Sequence, residues 1–182
     1  KVSKCYFWIA KITSKQTLTS NHYTVKYRLE SPFKHDKRRV LVQIFSEQSA
    51  RGKKAETKFE ILHKEGPYAI GLAFPKTGRT HQIRAHAQSI GLPLIGDKLY
   101  FGGYKMFQRF KDNIATQSDH DLLELPRHAL HAIAIKIDHQ HFISNIPNDL
   151  KQWISKNISV NLDQLNVDLN KKITNYFSDQ DH

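Results

Sequence analysis

One short stretch, residues 76–91, gathers side chains that could bind an anion and orient a reacting group. It contains Arg79, His81 and Arg84, which follow a glycine and enter a helical pattern. Free N–H groups at a helix N-terminus attract negative charge, so cationic groups placed beside them favour an anion-binding site. A solvated polar helix face explains the same spacing equally well. The two interpretations stay open on spacing alone.

The helix that must position these residues is indicated by its flanking residues and its apolar spacing. Gly78 is expected to supply the preceding turn through a positive φ, and Thr80 is the expected N-cap. Gly91 is expected just beyond the C-terminus of the helix. At about 100° per residue, the buried face comprises Ile83, Ala87 and Ile90, and the opposite face comprises His81, Arg84 and Gln88.

Composition indicates a protein that binds polyanions. The 182 residues carry 28 Lys and Arg against 17 Asp and Glu, a net charge of +11, which favours nucleic acid as partner. Basic residues cluster at 34–39 and 51–58. No apolar run approaches membrane-spanning length, so no membrane partner is expected. One cysteine, Cys5, excludes an internal disulfide and fits a reducing compartment, so a cytoplasmic location is expected.

Periodicity predicts an α+β fold with a mixed, mainly antiparallel sheet and helices packed against it. Residues 5–12 are apolar on both faces, which is typical of a central strand. Residues 105–125 are polar and are predicted to form a loop with one helical turn. Residues 161–182 resemble nothing recognisable and are expected to add a docked helix through Leu165 and Leu169 with a frayed acidic tail. Further strands are predicted at 22–30, 39–45, 55–62, 68–74, 127–137 and from 142, and a helix from Pro147.

Five segments together resemble the RluA-type RNA pseudouridine synthases. The most specific is Thr-Gly-Arg-Thr-His-Gln-Ile-Arg at 77–84 with Gly-Leu-Pro-Leu-Ile-Gly-Asp-Lys-Leu-Tyr at 91–100. The others, in matching order, are Lys-Cys-Tyr at 4–6, the strand at 52–62, Arg-His-Ala-Leu-His-Ala at 127–132 and the helix start at 145–150. The resemblance implies part of the pseudouridine synthase catalytic-domain fold over residues 1–160, with 161–182 as an extension.

The resemblance also implies a reaction and a set of site residues. The family isomerises uridine to pseudouridine in ribosomal or transfer RNA without a cofactor, and the target base must be flipped into a pocket. Arg84 stands where the family's arginine pairs with the catalytic aspartate, Tyr6 where a tyrosine stacks on uracil, and Leu130 where a leucine forms an apolar wall. The residues expected to meet the RNA backbone are Arg79, His81 and Gln82. From the residues alone, Tyr6 and Leu130 fit ordinary core positions, and Arg84 fits an ion pair within this chain.

One departure from the family pattern changes the expected activity. The family's nucleophile is an aspartate in an Arg-Leu-Asp-like motif ahead of the Lys-x-Tyr strand, and this sequence contains no such motif. The chain begins at Lys1 and is therefore interpreted as the C-terminal part of an isomerase, inactive alone. The alternative is a non-catalytic RNA-binding module on the same scaffold. No pair of the 11 histidines has convincing metal-ligand spacing, so no metal site is expected; the oligomeric state stays open.

Overall fold

The computed structural model describes residues 2–13, 19–31 and 40–179. Within these residues the chain forms seven strands and five helices. The strands are β1 (Val2–Lys11), β2 (His22–Glu30), β3 (Gln43–Phe45), β4 (Lys53–Glu65), β5 (Tyr68–Pro75), β6 (Leu130–Ile137) and β7 (Gln140–Ile143). The helices are α1 (Gln82–Ser89), α2 (Gly103–Lys111), α3 (Gln117–Leu123), α4 (Asn148–Asn157) and α5 (Leu162–Ser178).

A single sheet organises the molecule, with strand order β3-β2-β4-β5-β1-β6-β7. Every pairing among the described strands is antiparallel. The predicted α+β class is therefore confirmed, and no parallel pair occurs in this part of the chain. β1 lies between β5 and β6. This central position explains why both of its faces are apolar, since helices cover the sheet on both sides.

The two faces of β1 belong to different apolar clusters. Phe7 and Ile9 pack on one side with α4 and α5, and Trp8 and Ala10 pack on the other side with α1. Because successive side chains of a strand point to opposite faces, one strand serves both cores. The sheet therefore separates α1 and its polar residues on one side from the two C-terminal helices on the other.

Two predictions of local structure were wrong. Residues 105–125 form α2 and α3 instead of an irregular loop, because Thr116 and Asp119 make a reciprocal capping box at the start of α3. An ion pair between Arg109 and Asp119 then fastens α2 to α3. Of the strand predicted at 39–45, only residues 43–45 form a strand, which is β3. Residue 39 lies outside the described residues, as do most of the predicted loops at 14–21 and 31–37.

The predicted C-terminal helix is confirmed and is longer than expected. α5 buries Leu165, Leu169, Ile173 and Phe177 in the same cluster as Phe7. The predicted boundary between residues 1–160 and 161–182 stays a prediction, and the end of the acidic tail, residues 180–182, lies outside the described part of the chain. None of the described helices is long and apolar enough to cross a membrane.

Candidate active site

A cleft of about 640 Å³ opens between the start of β1, the start of β6 and the N-terminus of α1. We call it the α1 cleft. The six residues singled out from the sequence all line it: Tyr6, Arg79, His81, Gln82, Arg84 and Leu130. They come from three separate segments of the chain, which the antiparallel pairing of β1 with both β5 and β6 brings together. This arrangement is consistent with the prediction, made from the sequence, that these residues share one site.

Tyr6 enters the cleft at an irregularity of the sheet. The pairing of β1 with β6 shifts register between Cys5 and Tyr6, so that Cys5 lies opposite Ala134 and Tyr6 opposite Ala132. A bulge of this kind increases the local twist and redirects a side chain. Tyr6 is half-buried, packs against the Trp8 cluster and lines the cleft together with Leu130. Its ring therefore forms part of the cleft wall.

Arg84 is held by a buried carboxylate of the same chain. Its Nε donates to Oδ2 of Asp97 at 2.6 Å and its Nη2 donates to Oδ1 at 2.7 Å. The Tyr100 ring lies below the guanidinium, with the central carbon 4.9 Å from the ring centroid. The ion pair that the sequence left open as an alternative thus exists. Among the described residues no hydrogen bond involves Nη1, so one edge of the guanidinium is still available to a ligand.

Asp97 is ionised and fixed from three directions. Burial opposes its ionisation, but hydrogen bonds and charge from Arg84, together with the N–H groups of Tyr100 and Leu99, hold the pKa of Asp97 below its ordinary value. Only 1% of the residue is exposed. A two-point hydrogen bond to a fixed carboxylate defines the plane of a guanidinium. Asp97 therefore sets the direction in which Arg84 faces the cleft.

His81, not Thr80, is the N-cap residue of α1, and this corrects the prediction. His81 has a left-handed backbone, with φ of 53°, and its side chain does not cap the helix. Its Nδ1 instead lies 3.2 Å from the Tyr100 hydroxyl, which also accepts a hydrogen bond from the Val42 N–H. Gly78 is not among the residues with positive φ, so its expected role in the turn is also wrong, whereas Gly91 has the expected φ of 74°.

Gln82 supports the turn before α1 and does not present its amide to solvent. Its Nε2 donates to the Glu56 carbonyl oxygen and to Oγ1 of Thr57, and its Oε1 accepts from the Thr77 hydroxyl and the Arg79 N–H. The residue is only 4% exposed. The predicted contact of Gln82 with RNA therefore does not agree with its geometry. The amide fixes the loop that carries Arg79, whose side chain is exposed.

His128 also lines the cleft, although its role was not anticipated. It follows Arg127 directly in the segment used for the family resemblance, which was the only signal for it. Burial, followed by the charge of Arg84, lowers the pKa of both His81 and His128. Both imidazoles are thus neutral at pH 7 and can offer hydrogen bonds without charge. No carboxylate occurs among the described residues that line the α1 cleft.

Comparison with known proteins shows that part of this chain is similar to one family. The sequence model described as RNA pseudouridylate synthase matches residues 1–89, which include β1 and α1. The match covers slightly less than half of the chain and shows a likeness of this part to the family. Ribosomal large subunit pseudouridine synthase D of Pseudomonas aeruginosa is 37% identical over 89 residues, which are 48% of this chain and 26% of that protein. The protein of the same name from Buchnera aphidicola is 34% identical over 110 residues, which are 57% of this chain and 33% of that protein.

A solved structure shows the same fold. The human RNA Pseudouridylate Synthase Domain Containing 1 aligns with 93% of this chain and 66% of its own length, with a TM-score of 0.60 and 22% identity. Among the described residues, no three His, Cys, Asp or Glu side chains are grouped as metal ligands would be. The chain spans about a third or less of the two curated relatives named above.

Proposed function

We propose that this chain forms the uridine-binding part of an RNA pseudouridine synthase. The observation that carries the proposal is the α1 cleft, where Tyr6, Leu130 and the free Nη1 edge of Arg84 line one cavity. Such a cavity offers an aromatic surface, an apolar wall and one directed cation. These groups are what a flipped uracil and a nearby carboxylate require.

In the proposed reaction the uracil enters the cleft and stacks on Tyr6 while Leu130 excludes water from its other side. A carboxylate nucleophile detaches the base from the sugar, the base rotates, and carbon 5 rejoins the sugar with loss of its proton. Nη1 of Arg84 pairs with that carboxylate, because a neighbouring guanidinium keeps a desolvated carboxylate ionised. The Tyr6 hydroxyl is the candidate base for the proton of carbon 5.

The nucleophile must come from outside the described lining of the α1 cleft. Asp97 does not fit the role, since it is 1% exposed and both of its oxygens are held by Arg84. We therefore expect the chain alone to bind RNA without isomerising it. Ribosomal RNA is the proposed substrate, because the relatives named above are ribosomal large subunit synthases. Transfer RNA is the alternative, and the proposed location is the cytoplasm.

The decisive test measures tritium released from carbon 5 of uridine in labelled ribosomal RNA. The chain alone should release none, and the chain extended at its N-terminus with the Arg-Leu-Asp segment of a family member should release tritium. In the extended protein, Arg84→Met should abolish release, while Lys105→Met, a change at an exposed residue of α2, should not. Release by the chain alone would contradict the proposal.

The absence of a carboxylate among the described lining residues also favours a second function, that of a non-catalytic RNA-binding module. It predicts that the extended protein binds RNA with salt-sensitive affinity yet releases no tritium. The extended protein thus separates the two functions: tritium release supports the enzyme, and binding without release supports the module.

A further inference from the structure

A second cleft of about 580 Å³ shares a wall with the α1 cleft. It lies between the end of β2, the start of β4 and the loop before α1, and we call it the β2 cleft. Gly78 and Arg79 line both clefts. We propose that the β2 cleft binds the nucleotide next to the target uridine in the same RNA strand. This inference rests on the proposed function, since it assigns a second subsite to the same substrate.

The described floor of the β2 cleft is apolar. Leu29 is 3% exposed and Val42 is 7% exposed, and both pack with Ala55 in a small cluster below the cleft. Gly52 has a φ of +74°, and a Cβ there would lie 3.1 Å from backbone atoms of Arg28 and Leu29, so the backbones of this segment and β2 approach closely beside the cleft. The apolar side chains of Leu29 and Val42 can pack against the flat face of a base.

The walls of the β2 cleft carry the charge that a phosphate requires. Lys53 and Arg79 line it and both are exposed. Nε of Arg79 donates to the Lys54 carbonyl oxygen at 3.0 Å, which fixes the guanidinium against β4. Its two terminal nitrogens make no hydrogen bond with the described residues. Among the described lining residues the one carboxylate is Glu30, which is paired with Arg51 at 3.3 Å, and this pairing offsets its repulsion of RNA.

The wall shared by the two clefts carries no side chain at Gly78. A Cβ placed there would meet nothing within 4 Å apart from the glycine and its chain neighbours, so the wall is open at this residue. Arg79 stands beside this opening and lines both clefts. Its guanidinium can therefore bind the phosphate that joins the nucleotide in the α1 cleft to the nucleotide in the β2 cleft, since arginine recognises phosphate through paired N–H donors.

Methyl NMR of the whole chain tests both subsites in one titration. Leu130 reports on the α1 cleft, and Leu29 and Val42 report on the β2 cleft. Uridine 5′-monophosphate should shift the Leu130 methyl signals alone, and the trinucleotide UUU should shift those of all three residues. Shifts at Leu130 alone with UUU would overturn the second subsite and leave the proposed function standing. Shifts at neither site would overturn both the second subsite and the proposed function. Shifts at Leu29 and Val42 without Leu130 would overturn the inference that one RNA strand occupies both clefts.

Two variants add an independent readout by fluorescence anisotropy with labelled UUU. Lys53→Ala should weaken binding about tenfold or less and lower the slope of log affinity against log salt by about one, the effect of losing one phosphate contact. Lys171→Ala makes the same change at an exposed residue of α5, across the sheet, and should leave the slope unchanged. Ser31→Trp should obstruct the β2 cleft and weaken UUU but not the mononucleotide. Equal slopes for the two lysine variants, or unchanged UUU affinity in Ser31→Trp, would contradict the inference.

Discussion

At the scale of single residues, Arg84 and Asp97 form the charge pair on which the shape of the α1 cleft depends. Asp97→Asn removes the buried negative charge and leaves Arg84, whose side chain is 15% exposed, without compensation. We expect a loss of about 3 kcal/mol in the free energy of unfolding, as for other broken buried pairs. Urea denaturation followed by circular dichroism measures it.

A double-mutant cycle is the control for this pair. Because Arg84→Met removes the partner charge, the double variant Arg84→Met/Asp97→Asn should lose less stability than the two single losses added together, with a coupling of about 1–3 kcal/mol. Additive losses would show that the two side chains do not stabilise each other, in spite of their short contacts.

His86 makes stability depend on pH. Burial lowers its pKa to about 4, from an ordinary value of 6.5. The unfolded chain therefore takes up a proton at a higher pH than the folded chain, so stability is complete above pH 6.5 and declines as the pH falls to about 4. This shift of the pKa corresponds to ~3 kcal/mol of unfolding free energy.

Nδ1 of His86 lies 3.0 Å from the Thr57 hydroxyl. The variant His86→Gln isolates the contribution of titration, since glutamine keeps hydrogen-bonding groups but does not titrate. The difference between the unfolding free energies at pH 7.5 and pH 4.5 should be about 2 kcal/mol smaller in the variant than in the original chain. Equal pH dependence in the two proteins would show that His86 does not carry the effect.

The resemblance to a known family assigned Tyr6, Arg84 and Leu130 to one site. The three residues line one cleft, and their roles stay predictions. The sequence did not reveal the buried position of Gln82, because an amide at the start of a helix looks solvent-facing until the strand beside it supplies partners. Those partners, Glu56 and Thr57, lie on β4, some 25 residues earlier in the chain. No local pattern specifies such a contact.

At the scale of secondary-structure elements, the capping box of α3 should account for a measurable part of stability. Thr116→Val keeps the shape of the side chain and removes the hydroxyl that accepts the Asp119 N–H. We expect a loss of about 1 kcal/mol. Ser118→Ala, which removes an exposed hydroxyl inside the same helix, should cost less than about 0.5 kcal/mol. Thermal unfolding of both variants checks this, and equal losses would contradict it.

The strands were easier to predict than the short helices. Four strands show clear alternation or two apolar faces in their sequences: β1, β2, β4 and β5. Each pairs with its neighbours in the sheet, and burial of one or both faces of the sheet dictates this pattern. α2 and α3 have only nine and seven residues. Isolated helices of that length are marginal in water, so they depend on tertiary contacts such as Arg109 with Asp119. The sequence of α2 does show a helical apolar pattern, with Met106 buried, whereas α3 is mainly polar.

At the scale of the whole molecule, α5 should be an integral part of the cooperative unit. Phe177 is 1% exposed and packs in the cluster that contains Phe7. Phe177→Ala should therefore lower the unfolding free energy by about 3–5 kcal/mol. Val167→Ala, at a position of the same helix that is 60% exposed, should change it by less than about 0.5 kcal/mol.

Two probes should follow the Phe177→Ala variant through urea unfolding: tryptophan fluorescence, which reports on Trp8 and Trp153, and far-ultraviolet circular dichroism. Coincident transitions would show that α5 and the sheet unfold together. Separate transitions would show that residues 162–178 form an independent unit and would support the boundary predicted near residue 160.

The position of Phe177 against Phe7 also constrains the order of events during synthesis. β1 is translated before the helices that cover it, and its Phe7 face is fully covered only when α5 joins α4. The last turn of α5 is translated about 170 residues after β1, ~10–30 s later at usual rates of elongation. During that interval the nascent chain exposes an apolar sheet face. Translation of α5, and not the local formation of strands, thus sets the earliest moment at which this core can close.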